Sequence, residues 1–335
     1  MRSLAGELPN GLIAGFRAGL ELKLSPRAAD RPLYAIGMGA SAIAADLARG
    51  VVEAETEASL VVVRGADLPR GVGPRSCVLV LSYSGETTEA VEAYDLAGRR
   101  GAQRTVITSG GALAEKAAED DVPVLRIPGG QPPRSAVGHL FGGFVGLLDS
   151  WFPESNERRL EIACEEVRAE IPRLASSRGP AAAIADGVAD RLPFVLAERA
   201  FAPLARRWAS QLEENAKRLA VFDELTEALH NSLIGWDTVR RPEAARYAIV
   251  LVEWVAEQPL VRAAARHLRG VARTRGVRTV PAPLPFEDRL AALAHGLALG
   301  DFVSLELARR RGVDPYPTPA ITRGRAALAA PRPAG

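Results

Sequence analysis

Residues 77–89 read Cys-Val-Leu-Val-Leu-Ser-Tyr-Ser-Gly-Glu-Thr-Thr-Glu, and this stretch decides the fold. It opens with five consecutive apolar residues, which is typical of a strand covered on both faces in a parallel sheet. We predict this strand over residues 77–82 and a helix from about residue 87 to about residue 100. A strand that leads through a short loop into a helix is the repeating unit of an α/β domain.

The same alternation extends over the first 150 residues. Short apolar runs predict further strands at residues 33–37, 60–64, 104–108 and 123–127. Ala-rich stretches between them predict helices at residues 41–50 and 112–116. Strands and helices that alternate through short links predict a doubly wound parallel sheet of about five strands.

The second half of the chain repeats this pattern. Strands are predicted at residues 193–197, 247–253 and 277–280, and helices at residues 204–222, 260–275 and 287–299. The Arg- and Glu-rich residues before them predict helices that are broken at Pro172 and over residues 176–180. We therefore predict two doubly wound, flavodoxin-like α/β domains in tandem, over residues 1–152 and 192–335, joined by a helical bridge over residues 153–191.

Composition narrows the class of protein. The 335 residues are 47% hydrophobic and 24% charged, which is enough apolar material for two packed domains and excludes a disordered chain. The net charge is +2 and no basic stripe stands out, which argues against a nucleic-acid partner. Cys77 and Cys164 form neither a disulfide framework nor a metal site, which suits a reducing compartment.

No segment is predicted to enter a membrane or to act as a targeting signal. Glu7, Arg17 and Glu21 interrupt the apolar residues near the N-terminus, so no signal-peptide core is present there. The longest uncharged stretch, residues 135–148, is too short to span a bilayer and predicts a buried helix. We expect a cytoplasmic protein.

The loop after the first predicted strand reads Gly37-Met38-Gly39-Ala40-Ser41. Its glycines allow the backbone to approach a ligand closely, and the amides at the start of the following helix favour an anion. The spacing is not that of a dinucleotide-binding loop. A tight turn capped by the Ser41 hydroxyl explains the pattern about equally well.

The loop at residues 82–89 gives a stronger signal. The hydroxyls of Ser82, Ser84 and Thr87 surround Gly85 at the start of a predicted helix, where they and the backbone amides can hold a phosphate. The alternative is a helix cap with an acidic partner, which uses only one hydroxyl. We favour phosphate binding because that alternative leaves the other hydroxyls without a role.

These loops and several later segments resemble a known family. The two loops are similar to those of the sugar isomerase (SIS) domain, which binds phosphorylated sugars. Six further segments resemble those of the bifunctional phosphoglucose/phosphomannose isomerases in particular. They are Gly-Gly-Gln-Pro-Pro-Arg-Ser-Ala at 129–136, Gln-Leu-Glu-Glu-Asn-Ala-Lys at 211–217, Ala-Leu-His-Asn at 228–231, Ile-Gly-Trp at 234–236, Leu-Gly-Asp-Phe at 299–302 and Arg-Gly-Val-Asp-Pro at 311–315.

The resemblance implies an activity and a site. It implies reversible isomerisation of fructose 6-phosphate to glucose 6-phosphate and mannose 6-phosphate through a cis-enediolate, without metal or other cofactor. Glu214 is then the base, Arg134 the cation for the enediolate oxygen, and His230 the ring-opening group, which reaches the site from the partner subunit of a homodimer. The residues expected to hold the substrate phosphate are Gly39, Ser41, Ser82, Ser84 and Thr87.

Each of the three proposed catalytic side chains has a structural alternative. Spacing alone favours a surface ion pair for Glu214, because Lys217 lies three residues further along the helix. Arg134 follows two prolines that stiffen the backbone, yet it is also compatible with a solvated loop. His230 is compatible with a helix cap or an interface, and Glu213 is the natural comparison for Glu214.

The chain departs from the family pattern at three places. Ala40 and Leu229 stand where the family usually has Gly and Asn, and a C-terminal Lys that helps ring opening is replaced by Arg325 or lost at Gly324. These departures leave room for a second class of function, a non-catalytic SIS protein that senses a phosphosugar. Such a sensor needs the three loop hydroxyls but does not need Glu214, Arg134 and His230 together.

Overall fold

The computed structural model describes residues 1–22 and 31–329. The chain divides into two compact units. The N-terminal unit contains Asn10–Arg159 and the tail from Tyr316, and the C-terminal unit contains Met1–Pro9 and Leu160–Pro315. Most of the predicted bridge therefore belongs to the C-terminal unit, whereas the limits of residues 1–152, 153–191 and 192–335 stay a prediction from the sequence.

The described residues form nine strands and fifteen α-helices. The strands are β1 (Leu33–Gly37), β2 (Leu60–Val63), β3 (Cys77–Leu81), β4 (Gln103–Thr108), β5 (Val124–Arg126), β6 (Leu192–Ala197), β7 (Val221–Glu224), β8 (Tyr247–Trp254) and β9 (Arg278–Leu284). The helices are α1 (Arg2–Gly6), α2 (Leu8–Leu22), α3 (Gly39–Glu55), α4 (Thr88–Arg99), α5 (Gly111–Glu119), α6 (Val137–Leu148), α7 (Glu157–Ala175), α8 (Pro180–Val188), α9 (Ala202–Ala216), α10 (Leu225–Ala228), α11 (Ser232–Thr238), α12 (Arg241–Ala244), α13 (Pro259–Arg275), α14 (Arg289–Arg311) and α15 (Pro319–Ala329).

The N-terminal unit is built on a five-stranded parallel sheet in the order β2-β1-β3-β4-β5. Leu33 of β1 pairs with Leu60 of β2 on one side and with Cys77 of β3 on the other. All five residues of β1 are buried, because α4 and α5 cover one face of the sheet while α3 and α6 cover the other. The apolar runs of the sequence thus correctly predicted strands that are covered on both faces.

The C-terminal unit repeats this architecture with four parallel strands in the order β7-β6-β8-β9. One face packs on α10, α11 and α13 through Leu196, Ile249 and Leu251, and the other packs on α8, α9 and α14. In each unit the first strand stands between the second and the third. The prediction of two doubly wound parallel-sheet domains is confirmed.

Two predicted boundaries in this unit are wrong. The helix predicted over residues 204–222 ends at Ala216, because Lys217 adopts the left-handed conformation with φ of +54°, and residues 221–224 form β7 instead. The strand predicted over residues 277–280 extends to Leu284 despite Pro281 and Pro283. Because β9 is an edge strand, the missing proline N–H groups cost no hydrogen bond within the sheet.

The helix lengths also differ from the predictions. Helix α7 continues through Pro172 to Ala175, whereas the predicted break over residues 176–180 is present. Helix α14 extends from Arg289 to Arg311 rather than ending near residue 299. Among the described residues, α14 is the one helix that is long and apolar enough to cross a membrane by length and composition, and its apolar window lies entirely inside the protein.

Glycines bring α2 and α6 into backbone contact. Gly15 and Gly19 on α2 face Gly142 and Gly146 on α6, each pair separated by four residues and therefore on one face of its helix. A Cβ atom on Gly142 would lie less than 3.0 Å from the Leu12 carbonyl oxygen. The predicted buried helix over residues 135–148 is confirmed as α6, and its glycines are required by this close packing.

The α2–α6 contact predicts opposite effects for two Gly→Ala substitutions. Gly142→Ala forces the two helices apart and should lower the free energy of unfolding by about 3 kcal/mol. Gly270→Ala, on α13 with open space around the new methyl group, should raise it by about 0.5–1 kcal/mol. Thermal unfolding of the two variants checks this, and equal destabilisation would contradict the role assigned to the α2–α6 contact.

Candidate active site

The two loops singled out in the sequence lie side by side at one edge of the N-terminal sheet. They follow β1 and β3, which are neighbours in the sheet, and Gly37 at the end of β1 pairs with Leu81 at the end of β3. The chain leaves β1 toward β2 and leaves β3 toward β4, in opposite directions along the sheet. Such a switch point leaves a crevice beyond the carboxyl ends of the strands, where α/β proteins bind ligands.

Residues 82–87 form a compact turn held by their own hydroxyls. The Ser82 hydroxyl donates to the Thr87 hydroxyl at 3.0 Å and accepts from the Gly85 N–H at 3.2 Å. The Ser84 hydroxyl accepts from the Glu86 N–H at 3.2 Å. Ser82 is buried, whereas Ser84 and Thr87 are half-buried at the start of α4.

The capping alternative for this loop is wrong. Thr87 stands at the N-cap of α4, but its side chain makes no capping hydrogen bond. The amides of Thr88 and Glu89 have no acceptor among the described residues. Two helix amides and three nearby hydroxyls therefore gather at the positive end of the α4 dipole, which suits an anion.

The loop after β4, at residues 108–111, contacts this turn and holds it in place. It was not predicted from the sequence. Gly85 has φ of +72°, and a Cβ atom there would collide with the Gly110 carbonyl oxygen. The Ser109 hydroxyl donates to the Tyr83 carbonyl oxygen at 2.6 Å, and the Ala112 N–H donates to Glu86 Oε1 at 2.9 Å. The signal in the sequence was Thr-Ser-Gly-Gly at 108–111, a hydroxyl and glycine pattern directly after β4.

The loop at residues 37–41 presents backbone rather than side chains. Met38, not Ser41, is the N-cap of α3, and no side chain caps this helix, so the capping alternative for Ser41 is wrong. Ser41 is buried, and its N–H donates to the Met38 carbonyl oxygen at 3.1 Å. Gly39 is exposed with φ of +51° and open space around it, which leaves its backbone accessible to a ligand.

Arg134 is buried, so the solvated-loop alternative is wrong. It lies in a short 3₁₀ helix, Pro133–Ala136, that packs on α3 and α6, and its side chain is only 4% exposed. Its Nη2 donates to the Tyr316 carbonyl oxygen at 3.0 Å. The Gln131 N–H before it donates to the Tyr83 hydroxyl at 3.1 Å, which connects this loop to the residue 82–87 turn.

Glu214 lies on the edge of the buried face of α9. A polar row on this helix contacts α14: Arg207 Nη2 lies 3.1 Å from Asp301 Oδ1, Gln211 also bonds to that carboxylate, and Asn215 Nδ2 lies 2.9 Å from the Ser304 hydroxyl. Seven residues are close to two helical turns, so Glu214 continues the row of Arg207. Glu214 is half-buried, whereas Glu213 is exposed.

Lys217 interacts with the backbone of Glu214. Its Nζ donates to the Glu214 carbonyl oxygen at 2.5 Å. The hydrogen bonds from the polar row on α9 to α14 fix the rotation of α9 about its axis. This rotation leaves Glu214 half-buried and Glu213 exposed, a difference that the spacing in the sequence did not show.

His230 and Arg325 are both exposed. His230 lies between α10 and α11, and Asn231 rather than His230 caps α11 through its side chain. Leu219 and Ile234, in the same unit, are also largely exposed, at 75% and 68%. Arg325 lies on α15 in the N-terminal unit, together with Arg134 and the loop hydroxyls, whereas Glu214 and His230 belong to the C-terminal unit.

The C-terminal sheet carries acidic groups at its own switch point, between β6 and β8. Glu198 follows β6, and Glu257 lies three residues after β8. Burial raises the pKa of Glu257 to about 6, although the carboxylate accepts from the Trp254 N–H at 3.0 Å, and burial also raises the pKa of Glu198. These positions correspond to the hydroxyl loops of the N-terminal unit but carry carboxyl groups in place of hydroxyls.

Two parallel sheets of this order, with a hydroxyl-lined loop at the first switch point, define an SIS-domain protein. The family described as bacterial phospho-glucose isomerase C-terminal SIS domain matches residues 177–328. The tagatose-6-phosphate ketose/aldose isomerase structure from Escherichia coli shares the fold, with a TM-score of 0.73 and 19% identity over 93% of each chain.

Two relatives define the family more closely. The bifunctional phosphoglucose/phosphomannose isomerase of Aquifex aeolicus is 30% identical over 290 residues, which cover 86% of this chain and 87% of that protein. The enzyme of the same description from Caldicellulosiruptor bescii is 28% identical over 333 residues, which cover 94% of each. This chain belongs to the bifunctional phosphoglucose/phosphomannose isomerase family.

The buried Glu257 predicts a pH-dependent stability. Its raised pKa means that the folded state holds this proton between pH 4.5 and about 6 while the unfolded state releases it, so stability is lost as pH rises through this range. Glu257→Gln keeps the acceptor for the Trp254 N–H and should stabilise the protein at pH 7.5 by up to about 2 kcal/mol.

Denaturant unfolding between pH 4 and pH 7.5 measures this effect. The difference between Glu257→Gln and wild type should vanish below pH 4.5, and the exposed Glu287→Gln serves as the control. A difference that is constant with pH would show that the carboxylate titrates normally in the folded state.

Proposed function

We propose that this chain is an aldose–ketose isomerase that interconverts fructose 6-phosphate with glucose 6-phosphate and mannose 6-phosphate through a cis-enediolate. Membership in the family supports the substrate class and the isomerase activity. The single observation that carries the proposal is the turn at residues 82–87, in which hydroxyls and free helix amides gather at the switch point of the N-terminal sheet. The protein acts in the cytoplasm, and the proposed reaction uses no cofactor.

The phosphate group of the sugar binds at the carboxyl ends of β1 and β3. Ser82, Ser84 and Thr87 hold it with the α4 amides, and the α3 loop contributes the exposed backbone of Gly39 and the N-terminal turn that contains Ser41. Neutral donors and a helix dipole bind a dianion without a titrating partner. No side chain of this set has to change its protonation state for the phosphate to bind.

Isomerisation transfers one proton between C1 and C2. The Glu214 carboxylate removes the proton from C2 of the aldose; the C–H electron pair forms the C1–C2 double bond, and the C1=O π pair moves to O1, which gives the enediolate. The hydroxyl proton passes from O2 to O1, the C2=O bond forms, and the C1–C2 pair takes the proton back from Glu214 at C1 of the ketose. Arg134 stabilises the oxygen on which negative charge develops, because a guanidinium stays cationic throughout. The polar row on α9 and the burial of Arg134 support these two assignments over Glu213 and a solvated arginine.

Ring opening is assigned to His230 of a second copy of the chain. An imidazole passes a proton between the ring oxygen and the O1 hydroxyl at neutral pH. His230 is exposed in a unit that also exposes Leu219 and Ile234, which supports a homodimer in which each site takes His230 from the partner. Arg325 is the residue proposed to supply charge to the ring oxygen, and Gly324 is the alternative position, at which the side chain is lost.

A non-catalytic phosphosugar sensor is the second candidate, and one observation favours it. The residue that helps ring opening in the family is an arginine or a glycine here, on a helix whose described side chains from Ile321 to Leu328 are all exposed. A protein that binds the open-chain sugar but rarely opens the ring would serve as a sensor. Turnover of fructose 6-phosphate decides between the two functions.

The proposed base gives a sharp prediction. In a coupled assay on fructose 6-phosphate, Glu214→Gln should lower kcat by at least about 10³-fold, because the amide cannot accept the proton. Glu213→Gln, one residue away and exposed, should stay within about twofold of wild type. Equal losses would contradict the assignment, and wild-type binding without turnover on either hexose epimer would support the sensor.

The proposed shared site gives a separate prediction. Glu214→Gln and His230→Ala are each expected to be inactive alone, but dimers formed by mixing the two variants contain one site with both groups intact. Such dimers should recover about half of the wild-type activity per mixed dimer, or about a quarter in an unsorted random mixture of the two variants. No recovery in dimers shown to be mixed would place both groups in the same chain.

A further inference from the structure

We infer that the Tyr316 carbonyl oxygen is a positioning group for Arg134, held in place by Pro317. The inference rests on the proposed function because it assigns a role in the same site. The hydrogen bond from Arg134 Nη2 to this oxygen measures 3.0 Å, and the arginine is buried. The sequence alone does not show that the loop containing Arg134 and the tail containing Tyr316 lie in contact.

Proline stiffens both partners of this hydrogen bond. Arg134 follows Pro132 and Pro133, and Tyr316 lies between Pro315 and Pro317. A residue before proline is confined to extended or polyproline conformations, which limits the ψ angle of Tyr316 and with it the direction of its carbonyl group. The acceptor is therefore preorganised by Pro317 rather than by its own side chain, which is 52% exposed.

A fixed acceptor matters more for arginine than for lysine. The guanidinium is planar and its N–H donors diverge in a rigid fork, so holding one N–H restricts the directions of the others. Stabilising an enediolate requires a donor aimed at the position where charge develops. A carbonyl oxygen can fix this direction because it accepts one N–H and carries no net charge of its own.

The tail therefore joins the N-terminal unit at a group that contacts Arg134. The chain passes from the C-terminal unit to the N-terminal unit between Pro315 and Tyr316, at the point where the carbonyl of Tyr316 meets Arg134. The same tail continues into α15 with Arg325. The alternative is that the hydrogen bond only anchors the tail and contributes nothing to the orientation of Arg134.

A double-mutant cycle separates these two roles. Pro317→Ala should lower kcat about tenfold with KM within about twofold, because the arginine is misaimed while the phosphate stays bound. In an Arg134→Met background, the same substitution should change kcat by less than about twofold. Pro319→Ala removes a proline from the same segment but not the one that restricts residue 316, and it should leave kcat unchanged in both backgrounds.

Two results would overturn the inference. Equal loss from Pro317→Ala in both backgrounds would show a tail anchor, and no loss in the wild-type background would show that the carbonyl does not orient Arg134. A second readout works without turnover: in ¹⁵N-arginine spectra, the Nη signals assigned by their loss in Arg134→Met should be separate in the full-length wild type and averaged in Pro317→Ala. Averaged signals in the wild type would refute the inference, whereas missing turnover with separate signals refutes only the proposed function.

Discussion

The structure depends on one constraint, the placement of the first strand of each sheet between the second and the third. Because the chain leaves β1 and β3 in opposite directions, no connection covers the carboxyl ends of these two strands. The opening is bordered by the backbone amides at the start of α3 and α4, and the hydroxyls of Ser82 and Thr87 bond to each other rather than cap the helix. The glycine contacts at residues 85 and 110–111 then fix the loop, so its donors are in place before a ligand arrives.

The same constraint operates in both units with different side chains. At the first switch point the side chains are neutral hydroxyls, whereas at the second they are the carboxyl groups of Glu198 and Glu257. Hydroxyls and helix amides donate hydrogen bonds to a phosphate dianion, whereas ionised carboxylates offer it no donor. The two units therefore share the strand order but not the hydroxyl-lined loop.

The sequence predicted the parts of the fold that depend on local apolar runs. The strands β1 and β3 were found within one residue, because a buried parallel strand is uniformly apolar. The end of α9 was missed, because the left-handed residue that stops it is Lys217 rather than glycine, and β7 was missed with it, because half of this strand is acidic. The braces of the loop at Ser109 and Tyr83 and the burial of Arg134 depend on contacts distant in sequence, so no local pattern reveals them.

The resemblance puts Arg325, or the loss of the side chain at Gly324, where the family has a lysine, and the site proposed here uses Arg325. A lysine can hold charge at the ring oxygen and also exchange a proton, whereas an arginine supplies charge and direction but does not release its proton at neutral pH. In the proposed site, the proton exchange of ring opening is therefore assigned to the imidazole of His230, and charge and direction are assigned to the guanidinium groups of Arg134 and Arg325. Cations that never titrate serve a reaction only where their donors are aimed correctly, so a site of this composition depends on orientation at Arg134 more than on the acidity of the groups around it.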